Sequence, residues 1–87
     1  MVDVGTLGGD LSHAFAVNDH GQVVGQSETT SGDHAFSWTR ARGIVDLGTL
    51  GGNFSEAVAL NDHGQVVGSS YPASGALRAV LWQPAAR

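Results

Sequence analysis

Asn61-Asp62-His63-Gly64-Gln65-Val66-Val67-Gly68 repeats, residue for residue, the earlier stretch Asn18-Asp19-His20-Gly21-Gln22-Val23-Val24-Gly25 at a spacing of 43. The chain is therefore a tandem repeat. Asn-Asp-x-Gly between two apolar runs is a hairpin signal, because Asn and Asp tolerate left-handed backbone and glycine supplies positive φ. Asn18, Asp19 and Gly21, with Asn61, Asp62 and Gly64, are thus read as turn-forming residues.

Working outward, residues 3–27 align with 46–70, and 18 of these 25 positions are identical. His13/Glu56 exchanges an imidazole for a carboxylate, which marks a position expected to face solvent in at least one repeat. The copies then diverge through 28–33 and 71–77. They realign one residue out of step, with His34-Ala35-Phe36-Ser37-Trp38 facing Arg78-Ala79-Val80-Leu81-Trp82 at an offset of 44. A one-residue insertion, in segments rich in Ser, Thr, Gly and Pro, belongs in surface connections.

Each copy contains four strand-like runs: 2–7, 12–17, 22–27 and 34–38 in the first, and 44–50, 55–60, 65–70 and 78–82 in the second. No apolar pattern at helical spacing outlasts one turn, so the chain reads as all-β. Ala14-Phe15-Ala16-Val17 and Ala57-Val58-Ala59-Leu60 alternate small and large apolar residues, a pattern expected of strands covered on both faces. Sheets stacked face to face around an axis cover strands in that way, and a repeat of 43 residues matches a β-propeller blade of about 40–45, with a β-prism or an intertwined sandwich as the alternatives.

The expectation is one domain of two four-stranded antiparallel blades, repeat 1 about 1–43 and repeat 2 about 44–87. Two blades cannot close a ring of roughly 4–8. Cyclic homo-oligomerisation then supplies the rest, as a homotrimer with six blades or a homotetramer with eight. The strand phase within a blade is left open by the sequence; a permuted phase is the alternative in which one blade is completed by strands from two chains.

Composition narrows the function. In 87 residues there is no cysteine to staple so small a core, and the charged share of 14% is well below the usual quarter or so. Net charge is −4, with four Arg and no Lys, so no basic patch follows a phosphate backbone and nucleic acid is not an expected partner. No apolar run approaches the ~20 residues that span a bilayer, and the first residues carry no signal-peptide pattern.

Three motifs, Asp-Leu-Gly-Thr-Leu-Gly-Gly (46–52), Ser-x-Ala-x-Ala-x-Asn-Asp-x-Gly-Gln-Val-Val-Gly (55–68) and His-Ala-Phe-x-Trp (34–38), together resemble the bacterial HAF extracellular repeat. The resemblance covers nearly the whole chain. It implies a bacterial, extracellular or surface-associated origin within longer many-repeat proteins, and it carries no enzymatic activity onto any residue. Two copies without a signal peptide read as an excised or engineered piece of such a protein. Arg78 stands where the pattern has His, so His34 is read as dispensable.

Candidate chemistry is sparse. His20 and His63 sit beside Asp19 and Asp62, but no copy has metal-chelating spacing, and turn conformation accounts for Asn-Asp-x-Gly. Gly5-Thr6-Leu7-Gly8-Gly9 and its copy lack the Lys-Ser/Thr and helix of a phosphate cradle. Ser12-His13 are neighbours on a strand and point to opposite faces, so no nucleophile and base converge. No cofactor, metal or catalytic residue is therefore expected. Trp38 and Trp82, with Arg40 and Arg78 close in sequence, could form aromatic platforms for sugar rings. The expected role is a non-catalytic, self-assembling scaffold, structural or ligand-presenting. The alternatives are a multivalent glycan-binding module and, third, a hydrolase.

Overall fold

The computed structural model describes residues 1–83, and the chain is all-β. Its strands are β1 (Ser12–Val17), β2 (Val23–Thr29), β3 (Gly32–Thr39), β4 (Gly43–Gly48), β5 (Gly51–Leu60), β6 (Val66–Pro72) and β7 (Arg78–Trp82). They form one curled mixed sheet in the order β1-β2-β3-β5-β6-β7, with β4 on β3. Consecutive strands pair antiparallel within β1–β4 and within β5–β7. A parallel bridge between Asp33 and Phe54 joins the two halves.

This is not a pair of separate four-stranded blades. Residues 2–7 make no strand, and residues 43–48 close the first half instead of opening the second. The cause is edge availability: β4 finds the open edge of β3 a short turn away, whereas residues 2–7 have no equivalent edge within reach. The end of the second repeat as read from sequence, 84–87, lies outside the described residues.

The octad forms its hairpin, though differently from the expectation. Asn18 N–H donates to Gln22 O at 3.1 Å and Gly21 N–H to Asn18 O at 3.1 Å, closing a three-residue loop. Asn61, Gly64 and Gln65 repeat the pattern. Among the described residues no Asn or Asp is left-handed; Gly21 (φ 79°) and Gly64 (φ 83°) alone supply that conformation here. Asn18 instead holds the loop with its side chain, its Oδ1 accepting the amides of His20 and Gln22 at 3.0 Å each. Such Asx acceptance fits the preference for Asn at this position.

Residues 28–33 are mostly strand, because Thr29 pairs with Gly32 around a two-residue turn. Thr29 Oγ1 donates to Gly32 O at 2.7 Å. The variable connections are accordingly smaller than the sequence suggested.

The main apolar cluster is Val24, Ala35, Ala57 and Val66, with Ala16, Leu47, Leu60 and Trp82 packed against it; Phe36 is also fully buried. The curl brings Ala16, Val24, Ala35 and Leu47 of β1–β4 against Ala57, Leu60, Val66 and Trp82 of β5–β7. Coverage of both strand faces is not met within the single chain. β1 and β5 carry register shifts at Ala14/Ala16 and Ala57/Ala59, and the bulged residues Phe15 and Val58 remain about half exposed. A bulge leaves its extra residue outside the ladder and re-aims its side chain.

Candidate functional site

The repeat correspondence allows each residue of the internal join to be compared with its counterpart in the other copy. Ala16, Val24 and Ala35 correspond to Ala59, Val67 and Ala79. The first three pack in the join, while all three counterparts are exposed, Val67 to 44% against 0% for Val24. Ala57 and Leu60 correspond to Ala14 and Val17, of which Ala14 is exposed and Val17 is 65% exposed. One interface is thus made once inside the chain; these five of its residues have exposed counterparts at opposite ends of the sheet, while Val4, Val23 and Trp38, the counterparts of Leu47, Val66 and Trp82, are half-buried.

Hydrogen bonds repeat the same asymmetry. Ser55 is fully buried; its Oγ accepts the Ala35 amide at 2.7 Å and donates to Gly48 O at 2.7 Å. The equivalent Ser12 donates to Gly5 O at 2.8 Å. Among the described residues no amide donates to it. Trp82 Nε1–H donates to Leu47 O at 2.9 Å, whereas Trp38 makes no such bond among the described residues.

The hairpin loops also stack across the join. Asn18 Nδ2 donates to Asn61 O at 3.0 Å, and Asp19 N–H donates to Asp62 Oδ1 at 3.0 Å. The Asp19 amide is the main cause that holds the Asp62 carboxyl below the ordinary aspartate range, and the nearby His20 and His63 act in the same direction. Both turn aspartates are exposed.

The four residues singled out for sugar contact are not gathered into one platform. Arg78 begins β7 and Trp82 ends it, roughly 13 Å apart at the usual strand rise. Trp38 lies near the end of β3, followed by Arg40 in an exposed turn, in the other half of the sheet. Trp82 packs against the core with its N–H engaged, so its indole serves the join. Arg78 occupies the position of His34, whose Nδ1 meets Asp46 Oδ2 at 2.9 Å.

A small surface cleft is lined by Leu11, His13, Gln26, Ser27, Glu28 and Asp33. Its Glu28 carboxylate accepts the amides of Asp10 and Leu11 at 3.0 and 3.2 Å, a structural use. Among the described residues no three His, Cys, Asp or Glu side chains converge as metal ligands.

Sequence reasoning passed over the serines. Ser27 and Ser70 are buried, and each accepts an amide from the preceding glycine-rich segment: Leu7 N–H at 2.8 Å and Leu50 N–H at 2.9 Å. The available signal was identity: Ser12/Ser55 and Ser27/Ser70 stay unchanged between copies while Leu11/Phe54, Phe15/Val58 and Gln26/Ser69 near them vary. A small hydroxyl kept among alanines and valines marks a buried backbone partner.

Comparison with protein-family models, curated proteins and solved structures returned no match.

Proposed function

We propose that this chain is a non-catalytic repeat module that associates head to tail with further copies of itself, closing into a symmetric β-propeller scaffold of the extracellular-repeat type. The observation that carries the reading is the unequal burial of equivalent residues. Val24 and Ala57 are fully buried where the halves meet, and Val67 and Ala14 lie exposed at the two ends. Each end carries the surface that the other end's counterpart already packs against inside the chain, so the two are complementary by construction.

An interface between unlike surfaces propagates until rotation closes it; three or four two-repeat chains give six or eight units, within the roughly 4–8 of known propellers. Apolar groups are thereby removed from water at about 25 cal/mol per Å². That gain matters for a chain of 87 residues with no disulfide. The Asn18 and Asn61 loops, already stacked once, would continue as a ring of turns whose exposed Asp and His side chains form the surface presented to any ligand.

Absolute mass by light scattering coupled to gel filtration, across a concentration series, tests the reading. A discrete trimer or tetramer is expected. A monomer at all concentrations overturns it.

A further inference from the structure

Residues 1–5 copy β4. Val2-Asp3-Val4-Gly5 stands 43 positions before Val45-Asp46-Leu47-Gly48, and the two segments share local geometry although only the second is a strand. Gly5 N–H donates to Asp3 Oδ1 at 2.8 Å, as Gly48 N–H does to Asp46 Oδ1 at 2.7 Å. The φ angles at Gly5 and Gly48 are 83° and 80°. The serine bond that fixes each glycine carbonyl is also the same, from Ser12 at 2.8 Å and Ser55 at 2.7 Å. The segment is therefore already bent into the shape of β4, with one difference: β4 has β3 beside it.

The matching vacancy is at the other end of the sheet. β7 pairs with β6 on one side, and among the described residues nothing pairs with its other edge. β7 is the counterpart of β3, the strand to which β4 is bonded.

Resting on the head-to-tail reading above, we infer that residues 1–5 of one copy are the missing fourth strand of another copy, laid antiparallel along the free edge of β7. The register follows from β3 and β4, where Ala35, Phe36, Ser37 and Trp38 face Gly48, Asp46, Val45 and Ile44. It places Ala79 opposite Gly5, Val80 opposite Asp3, Leu81 opposite Val2 and Trp82 opposite Met1. Side chains agree with the ladder: the His34–Asp46 pair becomes an Arg78–Asp3 pair between chains, with charges of opposite sign. Val2 and Leu81, each about half exposed in the single chain, cover one another. The Ala79 amide reaches the acceptor lone pair of Ser12, as Ala35 reaches Ser55. Subunits are then interlocked by a strand, and the free edge of β7 is covered, which removes a template for uncontrolled edge pairing.

The chain has no cysteine, so pairing can be trapped chemically. Facing residues of an antiparallel pair lie about 4.5–5.5 Å apart at Cα, within disulfide range. Two full-length single variants, Val2→Cys and Leu81→Cys, are purified reduced, mixed in equal amounts in denaturant, refolded together, and oxidised in a glutathione buffer. Mixing single variants excludes a bridge within one chain. Disulfide-linked dimers containing one of each variant are expected up to the statistical limit of random mixing, about half of the chains, by non-reducing gel and intact mass. Val2→Cys mixed with Ala79→Cys, two positions out of register, is expected to give markedly less. Light scattering on the same mixture separates the two claims. A trimer or tetramer without the Val2–Leu81 heterodimer overturns strand donation and leaves self-assembly standing, and a monomer overturns both.

Discussion

Ser55 Oγ accepts the amide of Ala35 at 2.7 Å from the opposite side of the join between the two halves of the sheet. Both groups are fully buried, so nothing else can satisfy that N–H. Ser55→Ala leaves a buried donor unpaired, which costs about 1–3 kcal/mol. Ser12→Ala removes only a bond to Gly5 O and should cost about 1 kcal/mol or less in the dissociated chain. Urea denaturation of both variants at concentrations low enough to keep the chain monomeric checks the difference. Equal losses would show that the join does not depend on this bond.

Trp82 fills the join beside Leu47 and Leu60 and donates to the Leu47 carbonyl. Trp82→Ala should destabilise by about 3 kcal/mol, the lower end of the range for buried Trp, since the ring is only partly covered. Trp82→Phe keeps most of the ring and loses the donor, for about 1 kcal/mol. Thermal melts read both. If Trp82→Ala melts like the parent chain, the indole is a surface group free for ligands, and a glycan array on that variant becomes the informative experiment.

The repeat was legible because an octad cannot recur at a spacing of 43 in a small chain without imposing equivalent structure twice, and the strand runs from 12 to 82 followed from it. What the letters could not show was phase. Val2-Asp3-Val4-Gly5 and Val45-Asp46-Leu47-Gly48 look alike, yet only the second lies within reach of a free strand edge, and pairing depends on what is beside a segment as much as on its own residues. The bulges at Ala14/Ala16 and Ala57/Ala59 were hidden for a related reason. They arise between strands, and the alternation of small and large side chains reads the same with or without them. Trp38 and Trp82 were visible as a repeated aromatic, but the bond from Trp82 to Leu47 spans 35 residues and has no local trace.

Gly68 lies where β5 and β6 approach most closely. A β-carbon there would meet Glu56 O at 1.9 Å, a backbone atom that cannot swing aside. Gly25 meets His13 O at the same distance in the first copy. Gly68→Ala must therefore push β5 off β6, at a cost of at least the 1–3 kcal/mol or so typical of overpacking. Circular dichroism melts of Gly68→Ala should show a clear drop in midpoint. A midpoint within error of the parent would mean that β5 and β6 are farther apart than this register requires.

Acid should loosen the stacked loops. The Asp62 carboxyl is held below its ordinary value, first by the Asp19 amide, then by the Asp19 side chain, and last by His20 and His63. A group whose pKa is depressed on folding contributes stability above its unfolded value, about 3.9 for Asp, and that contribution is lost as pH falls through the lower folded value. Asp62→Asn keeps an oxygen to accept from Asp19 but has no proton to bind. The parent chain should therefore lose stability more steeply than Asp62→Asn as pH falls below about 4. Because Asp62 is exposed, added salt should shrink the difference. Thermal midpoints of both proteins over that pH range, at low and high salt, provide the check. Identical slopes below pH 4 would remove Asp62 from the forces holding the two loops together.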